Sequence, residues 1–352
     1  MTRVVVLVAV LLSIGVASTP IIAAPSASPT APMTIKVTPQ SGSGAFRDTT
    51  LVYLDGPIDA GAPDRLSTAL GRTTGKIAIW LNSPGGNLFA GMQLGRLIRA
   101  RGASTYIINP RTLLPGECYS ACALAFLGGV YRFSDYGARY GVHQAWLPAE
   151  RATGERDLGP DLSTAIGSYM REMGVDVRLL DLWMKAAPDE MYVLSQTQAK
   201  ELGVVNDGRT PPEWSIASFP GGTMLEGRQA TAAGRDTVFF SCDDKQTIFG
   251  SVYEAAGKGA PVAAREGSHV LTLDSEAVPV KARAVSSTDG SVRSTFVVSP
   301  DLVRLAMSAK RIGHQMKPSG HSPALGVSVD IDDHSALMVR TFLGSCLRRQ
   351  VK

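Results

Sequence analysis

The sequence predicts an α/β protein with a mostly parallel sheet, followed by a smaller β-rich domain. Three observations carry that prediction. Between Thr49 and Ile108, short β-branched and apolar runs alternate with stretches whose apolar residues recur at helical spacing. Clusters of Gly, Pro, Asn and Asp mark each change. From about residue 236 onward, the chain becomes a succession of strand-like runs. A length of 352 residues is long for one core. The expected division is a signal peptide at 1–27, a linker at 28–47, a domain at 48–210, a linker at 211–235 and a domain at 236–352.

Taken in order, Arg3 supplies a positive end, Val4 to Val16 an apolar run, and small residues follow, with cleavage expected between Ala17 and Ala27. The run is shorter than the ~20 residues of a membrane span. Export to the periplasm or the medium is the expectation, with an uncleaved N-terminal anchor as the alternative. Residues 18–45, rich in Ala, Pro, Ser, Thr and Gly, read as an extended linker. Thr50 to Leu54 is a buried strand, Asp64 to Leu70 a helix, and Lys76 to Leu81 a second strand. The turn cluster Asn82-Ser-Pro-Gly-Gly-Asn87 leads into a helix over Leu88 to Arg101, then a strand over Ser104 to Ile108. That order predicts right-handed crossovers and parallel pairing.

An apolar helix follows Ser120, and Arg139 to His143 reads as a short strand. Residues 149–160 form a charged loop. Helical periodicity returns over Ser163 to Met173 and Val177 to Ala186, then Thr197 to Leu202, with Gly203 to Val205 a closing strand. Pro211-Pro212 and Gly221 to Gly234 read as the second linker. Beyond it, Thr237 to Phe240, Thr247 to Tyr253, Val270 to Leu273, Ser291 to Val298 and Ala324 to Val329 read as strands. Ser299-Pro300-Asp301 opens a helix, with Ser as N-cap and Pro in the first turn.

Composition excludes some functions. With 44% apolar and 19% charged residues the chain is globular, and a net charge of +4 without a dense basic block argues against nucleic-acid binding. The cysteines are four, Cys118, Cys122, Cys242 and Cys346. Export favours disulfides. Three pairings are available, and Cys118–Cys122 with Cys242–Cys346 is favoured because each pair lies within one domain. No histidine stands at zinc-ligand spacing around either pair, and His314 and His321, which flank a Lys-Pro-Ser-Gly loop, are not read as ligands. No metal or cofactor is expected.

Three segments carry candidate chemistry. In Ser83-Pro-Gly-Gly86, glycines at a strand-to-helix turn let the backbone N–H groups near Gly85 and Gly86 approach a developing oxyanion, although such a turn is common. In Gly116-Glu-Cys-Tyr-Ser-Ala-Cys-Ala123, Ser120 is either a helix N-cap or a nucleophile whose intermediate would also meet the N–H of Ala121. Cys118 and Cys122 flank it at i, i+4, close enough for a clamping disulfide. The oxidising compartment weakens the rival idea of a cysteine nucleophile. In Gly141-Val-His-Gln144, His143 is the one histidine of the first domain, since His269, His314, His321 and His334 all fall in the second. A lone histidine is usually structural, but a serine hydrolase built on this domain has no other histidine base.

The order strand, Asn82-Ser-Pro-Gly-Gly86, helix, Ser120 before an apolar helix, then Val142-His143-Gln144 resembles the Clp protease proteolytic subunit. Gln198-Ala-Lys-Glu-Leu-Gly-Val-Val205 is similar to that family's closing segment, and the resemblance covers roughly residues 48–207. It implies a ClpP/crotonase-like β-α-β spiral, with Ser120 as nucleophile, His143 as general base, Gly86 and Ala121 as oxyanion donors, and peptides or unfolded chains as substrate. Two features depart from the family. Met191 stands where the family has its third triad residue, leaving nearby Asp189 as the candidate acid or a Ser-His pair without one. The segment after His143 is short for the family's handle helix, which puts a double-ring barrel in doubt and leaves a simpler homo-oligomer open. An exported protein would not meet the family's ATPase partners. An ATP-independent serine peptidase or related acyl hydrolase is therefore the leading reading, and an inactive binding scaffold of the same fold is the alternative. A Ser-Lys mechanism ranks third, since Lys76, Lys185 and Lys200 are the lysines between 46 and 207 and none sits in a supporting motif.

Overall fold

The computed structural model describes residues 21–25, 31–39, 46, 48–144, 160–254, 267–288, 291–317 and 325–350. The expected apolar run of the signal peptide, most of the loop at 149–160, and His321 lie outside them. The chain divides into two compact units between Val205 and Asn206. Among the described residues, no helix is long and apolar enough to cross a membrane.

The first unit is built on two sheets. Strands β1 (Ile21–Ala23), β2 (Thr34–Thr38), β3 (Thr49–Asp55), β4 (Lys76–Asn82), β5 (Ser104–Ile107), β6 (Glu117–Tyr119), β7 (Tyr131–Phe133), β8 (Arg139–Val142) and β9 (Glu190–Val193) follow in chain order. The larger sheet runs β2-β3-β4-β5-β7, and its β3, β4, β5 and β7 are mutually parallel. Parallel sheets are covered on both faces, which makes their strands continuously apolar. Here Val52, Leu54, Ile79 and Leu81 are buried in the main core. Leu51, Ala78 and Trp80 form a separate cluster with Phe46, Tyr53 and Tyr106. Helices α1 (Ala62–Leu70) and α2 (Leu88–Ala100) are the crossovers, and α3 (Ala121–Leu127) follows β6. The second sheet, β1-β9-β8-β6, is mixed, with only β6 and β8 parallel. Helices α4 (Pro160–Glu172), α5 (Leu179–Trp183) and α6 (Gln196–Glu201) complete the unit.

Strand β1 falls within the stretch expected as signal peptide, and β2 replaces part of the expected linker. The polar residues of Thr34-Ile-Lys-Val-Thr38 hide a strand that pairs antiparallel with β3. It is anchored by Met33, whose side chain is buried and whose N–H donates to the Asp59 carboxylate.

Among the described residues, every strand pairing of the second unit is antiparallel. One sheet runs β10 (Glu213–Phe219), β11 (Gly222–Thr231), β12 (Gly234–Cys242), β13 (Thr247–Tyr253), β17 (Ser291–Val298), β16 (Ala282–Thr288). The other runs β15 (Glu276–Val280), β14 (Ser268–Leu273), β18 (Arg311–Lys317), β19 (Leu325–Asp330). The stretch 211–235, expected as a linker, is the β10–β11 hairpin and its continuation. Its glycines serve tight turns, at Gly222 (φ 136°) and Gly234 (φ 153°), rather than flexibility. Helix α7 (Pro300–Ser308) starts as expected, the Ser299 hydroxyl accepting from the Leu302 N–H. Helix α8 (Asp333–Gln350) was not anticipated, although Val339, Phe342, Leu343 and Cys346 fall on one face. Disulfides join Cys118 to Cys122 and Cys242 to Cys346.

Inside this unit lies a hydrogen-bonded relay. The Ser251 hydroxyl is 2.8 Å from His314 Nδ1, and His314 Nε2 is 3.0 Å from His269 Nδ1. Phe296 packs against both rings. Burial, helped by the neighbouring His269, pulls His314 from the ordinary 6.5 down to about 3. The unfolded chain therefore takes up a proton near 6.5 that the folded unit refuses until about 3, and stability is lost as pH falls through that window. Deuterium uptake in β13, β14 and β18, corrected for intrinsic rates, should rise on acidification through that window. His314→Gln, which keeps hydrogen-bonding capacity without titrating, should reduce the rise.

Candidate active site

Backbone pairing assembles the site where three strands end. The chain leaving β4 continues beside β6, the Ser83 N–H donating to the Glu117 carbonyl (2.7 Å) and the Tyr119 N–H to the Ser83 carbonyl (3.1 Å). This brings the Pro-Gly-Gly turn against residues 119–121. A Cβ on Gly85 (φ 100°) would stand 2.7 Å from both Ser120 Cβ and the Tyr119 carbonyl oxygen, and one on Gly86 (φ 139°) 2.2 Å from the Ile58 oxygen. Both glycines are needed for that approach. The Ile58 N–H donates to Gly85 O and the Asn87 N–H to Ile58 O, so these bonds leave the N–H of Gly86 unused. Asn87 caps α2, its side chain accepting from the Ala90 N–H.

Ser120 occupies the sharp turn between β6 and α3 with φ 56° and ψ −120°. An L-residue in that region is strained, and such strain is concentrated at functional turns. Its N–H donates to the Gly141 carbonyl and its carbonyl accepts from the Ala123 N–H, but its hydroxyl does not cap the helix. The N-cap alternative for the side chain is thereby removed. The Cys118–Cys122 disulfide spans the turn, and both cysteines are fully buried.

Every residue of α3 is buried, so its last carbonyls cannot meet water. The Tyr169 hydroxyl donates to the Leu124 carbonyl and the Thr105 hydroxyl to that of Phe126, while two arginines take the Leu127 carbonyl and those just beyond it. Arg99 donates to the Leu127, Gly128 and Gly129 carbonyls, and Arg132 to those of Gly129, Gly203 and Val204. Burial, with Arg99 nearby, lowers Arg132 to about 10, and it still carries its charge at neutral pH. The helix's N-terminal end touches α2 through Gly91, where a Cβ would lie 2.4 Å from the Ala121 oxygen.

His143 leaves the end of β8, which pairs in parallel with β6 (Tyr119 opposite Gly141). Ser120 and His143 therefore emerge from the same end of adjacent strands, the carboxyl end where α/β sites form. No hydrogen bond joins their side chains among the described residues. His143 Nδ1 lies 2.9 Å from the Pro188 carbonyl. A carbonyl only accepts, so Nδ1 carries the proton and neutral Nε2 presents its lone pair. Burial lowers the His143 pKa, partly offset by this bond. The Asp189 side chain makes no bond to His143; its backbone carbonyl accepts instead from the Ala24 N–H. Met191 is buried, its side chain against Gly141. Lys185 lies over the Tyr192 ring.

Sequence reasoning missed Pro188, since a backbone acceptor has no side-chain signature. It also passed over Arg132, although a single arginine in Val130-Tyr-Arg-Phe133 could have signalled a buried cation.

No protein-family model and no curated protein matches the chain. Among solved structures, a ClpP1 mutant from Listeria monocytogenes is similar over 44% of this chain and 88% of that one, at 23% identity and a TM-score of 0.34. A mutant of 1510-N, a membrane-bound stomatin-specific protease, is similar over 44% of this chain and 75% of that one, at 17% identity and a TM-score of 0.33.

Gly91→Ala should force α2 away from Ala121 and destabilise the first unit by about 1–3 kcal/mol. Gly102→Ala, at an open position with φ 61°, should show strain without displacing α3. Denaturant unfolding of the two variants measures the difference, and equal losses would remove the case for a tight α2–α3 contact.

Proposed function

We propose that the chain is an ATP-independent serine hydrolase, a peptidase or related acyl hydrolase, with Ser120 as nucleophile, His143 as base and a ClpP/crotonase-like first unit. The observation that carries this reading is the backbone of Ser120: a serine in the left-handed region, at a strand-to-helix turn, with its hydroxyl left out of the helix cap. Nucleophile turns have this form because it presents the oxygen at the sheet's end. The two disulfides favour an oxidising compartment, in keeping with export. Peptides or already unfolded chains are the expected substrates.

In this mechanism the Ser120 oxygen attacks a carbonyl carbon while His143 Nε2 takes the hydroxyl proton. The oxyanion meets the N–H groups of Gly86 and Ala121, Gly85 giving the turn its close approach. The carbon–nitrogen or carbon–oxygen bond then breaks, and the leaving group receives the proton from His143. Water, deprotonated by His143, releases the acyl group. Approach of substrate has to draw Ser120 and His143 into hydrogen-bond contact. The Pro188 carbonyl fixes the tautomer where a carboxylate would commonly do so, and Asp189 would act only after a shift of its loop.

A fluorophosphonate tests the pair directly. Attack by Ser120 forms an O–P bond, fluoride leaves, and the hydroxyl proton passes to His143. Labelling of the oxidised wild type, lost in Ser120→Ala and His143→Ala, is the expected result. Retention in His143→Ala would point to a lysine base. No labelling would favour the binding-scaffold reading, which the missing Ser120–His143 bond and the buried Met191 support. Because partial burial disfavours imidazolium, the acid limb of the labelling rate should lie below 6.5, the ordinary histidine value; a limb above it would contradict a half-buried neutral base.

A further inference from the structure

Strand β1 is held in an unusual way. It pairs antiparallel with β9, Ile21 opposite Tyr192, Ile22 opposite Met191 and Ala23 opposite Glu190. The Ala24 N–H extends the ladder to the Asp189 carbonyl at 2.9 Å. Alternation along an antiparallel pair makes Ile22 and Met191 the next doubly bonded pair. The inner edge of β9 is used by β8, with the Leu194 N–H on the Tyr140 carbonyl. The side chains of β1 contribute little, for Ile21 and Ala23 are exposed and Ile22 is half-buried. Main-chain hydrogen bonds therefore supply most of the attachment, as when an extended peptide adds to a sheet edge.

The outer edge of β9 begins beside the histidine's anchor. Asp189, which accepts from Ala24, directly follows Pro188, whose carbonyl holds His143 Nδ1. Met191, the central paired residue, packs its side chain on Gly141, whose carbonyl receives the Ser120 N–H. One strand thus braces a route to each member of the candidate pair.

We propose that the outer edge of β9 is a strand-docking surface that controls the candidate site, with residues 21–24 of this chain as its occupant. The inference rests on the reading of Ser120 and His143 as a reacting pair. With the segment docked, residues 188–191 are fixed and His143 keeps its orientation. With the segment withdrawn, an unpaired edge remains, and the Pro188 carbonyl is free to swing. Signal cleavage ahead of Ile21 would leave the strand on the mature protein, whereas cleavage beyond Ala24 would vacate the edge.

The test uses the full chain, Ile22→Pro, which removes the N–H facing Met191, and Ile22→Ala, which keeps it. Three readouts are needed: deuterium uptake at the Met191 amide, the fluorophosphonate labelling rate of Ser120, and the acid limb of that rate. In Ile22→Pro, uptake should rise, labelling should fall at least about tenfold, and the acid limb should move up towards the ordinary histidine value as His143 gains solvent. A peptide with the sequence of residues 19–25, added in trans, should reverse all three, and Ile22→Ala should stay near wild type. Unchanged Met191 exchange in Ile22→Pro overturns docking at β9. Raised exchange with unchanged labelling and acid limb overturns the control of the site. Absence of labelling in every form overturns the hydrolase reading itself, a result distinct from either.

Discussion

A short helix wholly withdrawn from water has to find partners for the carbonyls at its end, and two arginines complete that set for α3 where the Tyr169 and Thr105 hydroxyls have taken the carbonyls of Leu124 and Phe126. Arg99 comes from α2 and Arg132 from β7, and between them they engage carbonyls at residues 127–129. An unpaired buried carbonyl costs about 1–3 kcal/mol, so the loss of either guanidinium would be felt at several groups together. The positive charges also oppose the negative end of the helix dipole. Because Arg132 continues to the carbonyls of Gly203 and Val204, the same cations tie the helix behind Ser120 to the closing segment of the unit. The strained backbone of Ser120 persists because its surroundings are fixed: disulfide across the turn, glycines in front, buried cations behind.

The acceptor on His143 alters how such a site would work. A carboxylate both selects the tautomer and stabilises imidazolium, whereas a peptide carbonyl selects the tautomer but offers only a dipole. Hydrogen bonds to a charged partner contribute about 1.5–3 kcal/mol against about 0.5–1.5 for neutral ones. With burial already lowering its pKa, the site is disposed to hold a neutral imidazole and gives less help once it is charged.

Much of the first unit was legible because its strands and helices differ in period and are separated by glycine and proline. Thr49–Asp55, Lys76–Asn82 and Leu88–Ala100 each show this. Ser120, His143 and the glycine turn could be nominated from order and residue type, and the structure brings their backbones side by side. What stayed hidden was made by long-range backbone pairing. Thr34–Thr38 is a polar-looking run that becomes a strand only because β3 offers an edge, and 213–231 looked like a linker because hairpin turns use the same residues as flexible segments. The contact between His143 and Pro188 crosses 45 positions and involves no side chain but the histidine's.

The bond between Cys242 and Cys346 has a mechanical consequence. It joins β12 to α8 across a separation of 104 residues, so most of the second unit lies within a covalent ring. Tension applied through the two ends of that unit bypasses the ring's interior: β10, β11, β12 up to Cys242 and the tail of α8 can be drawn out, while the chain between the cysteines contributes almost no contour length. Under load the unit can lengthen only by the chain outside the ring, and reduction is what releases the rest.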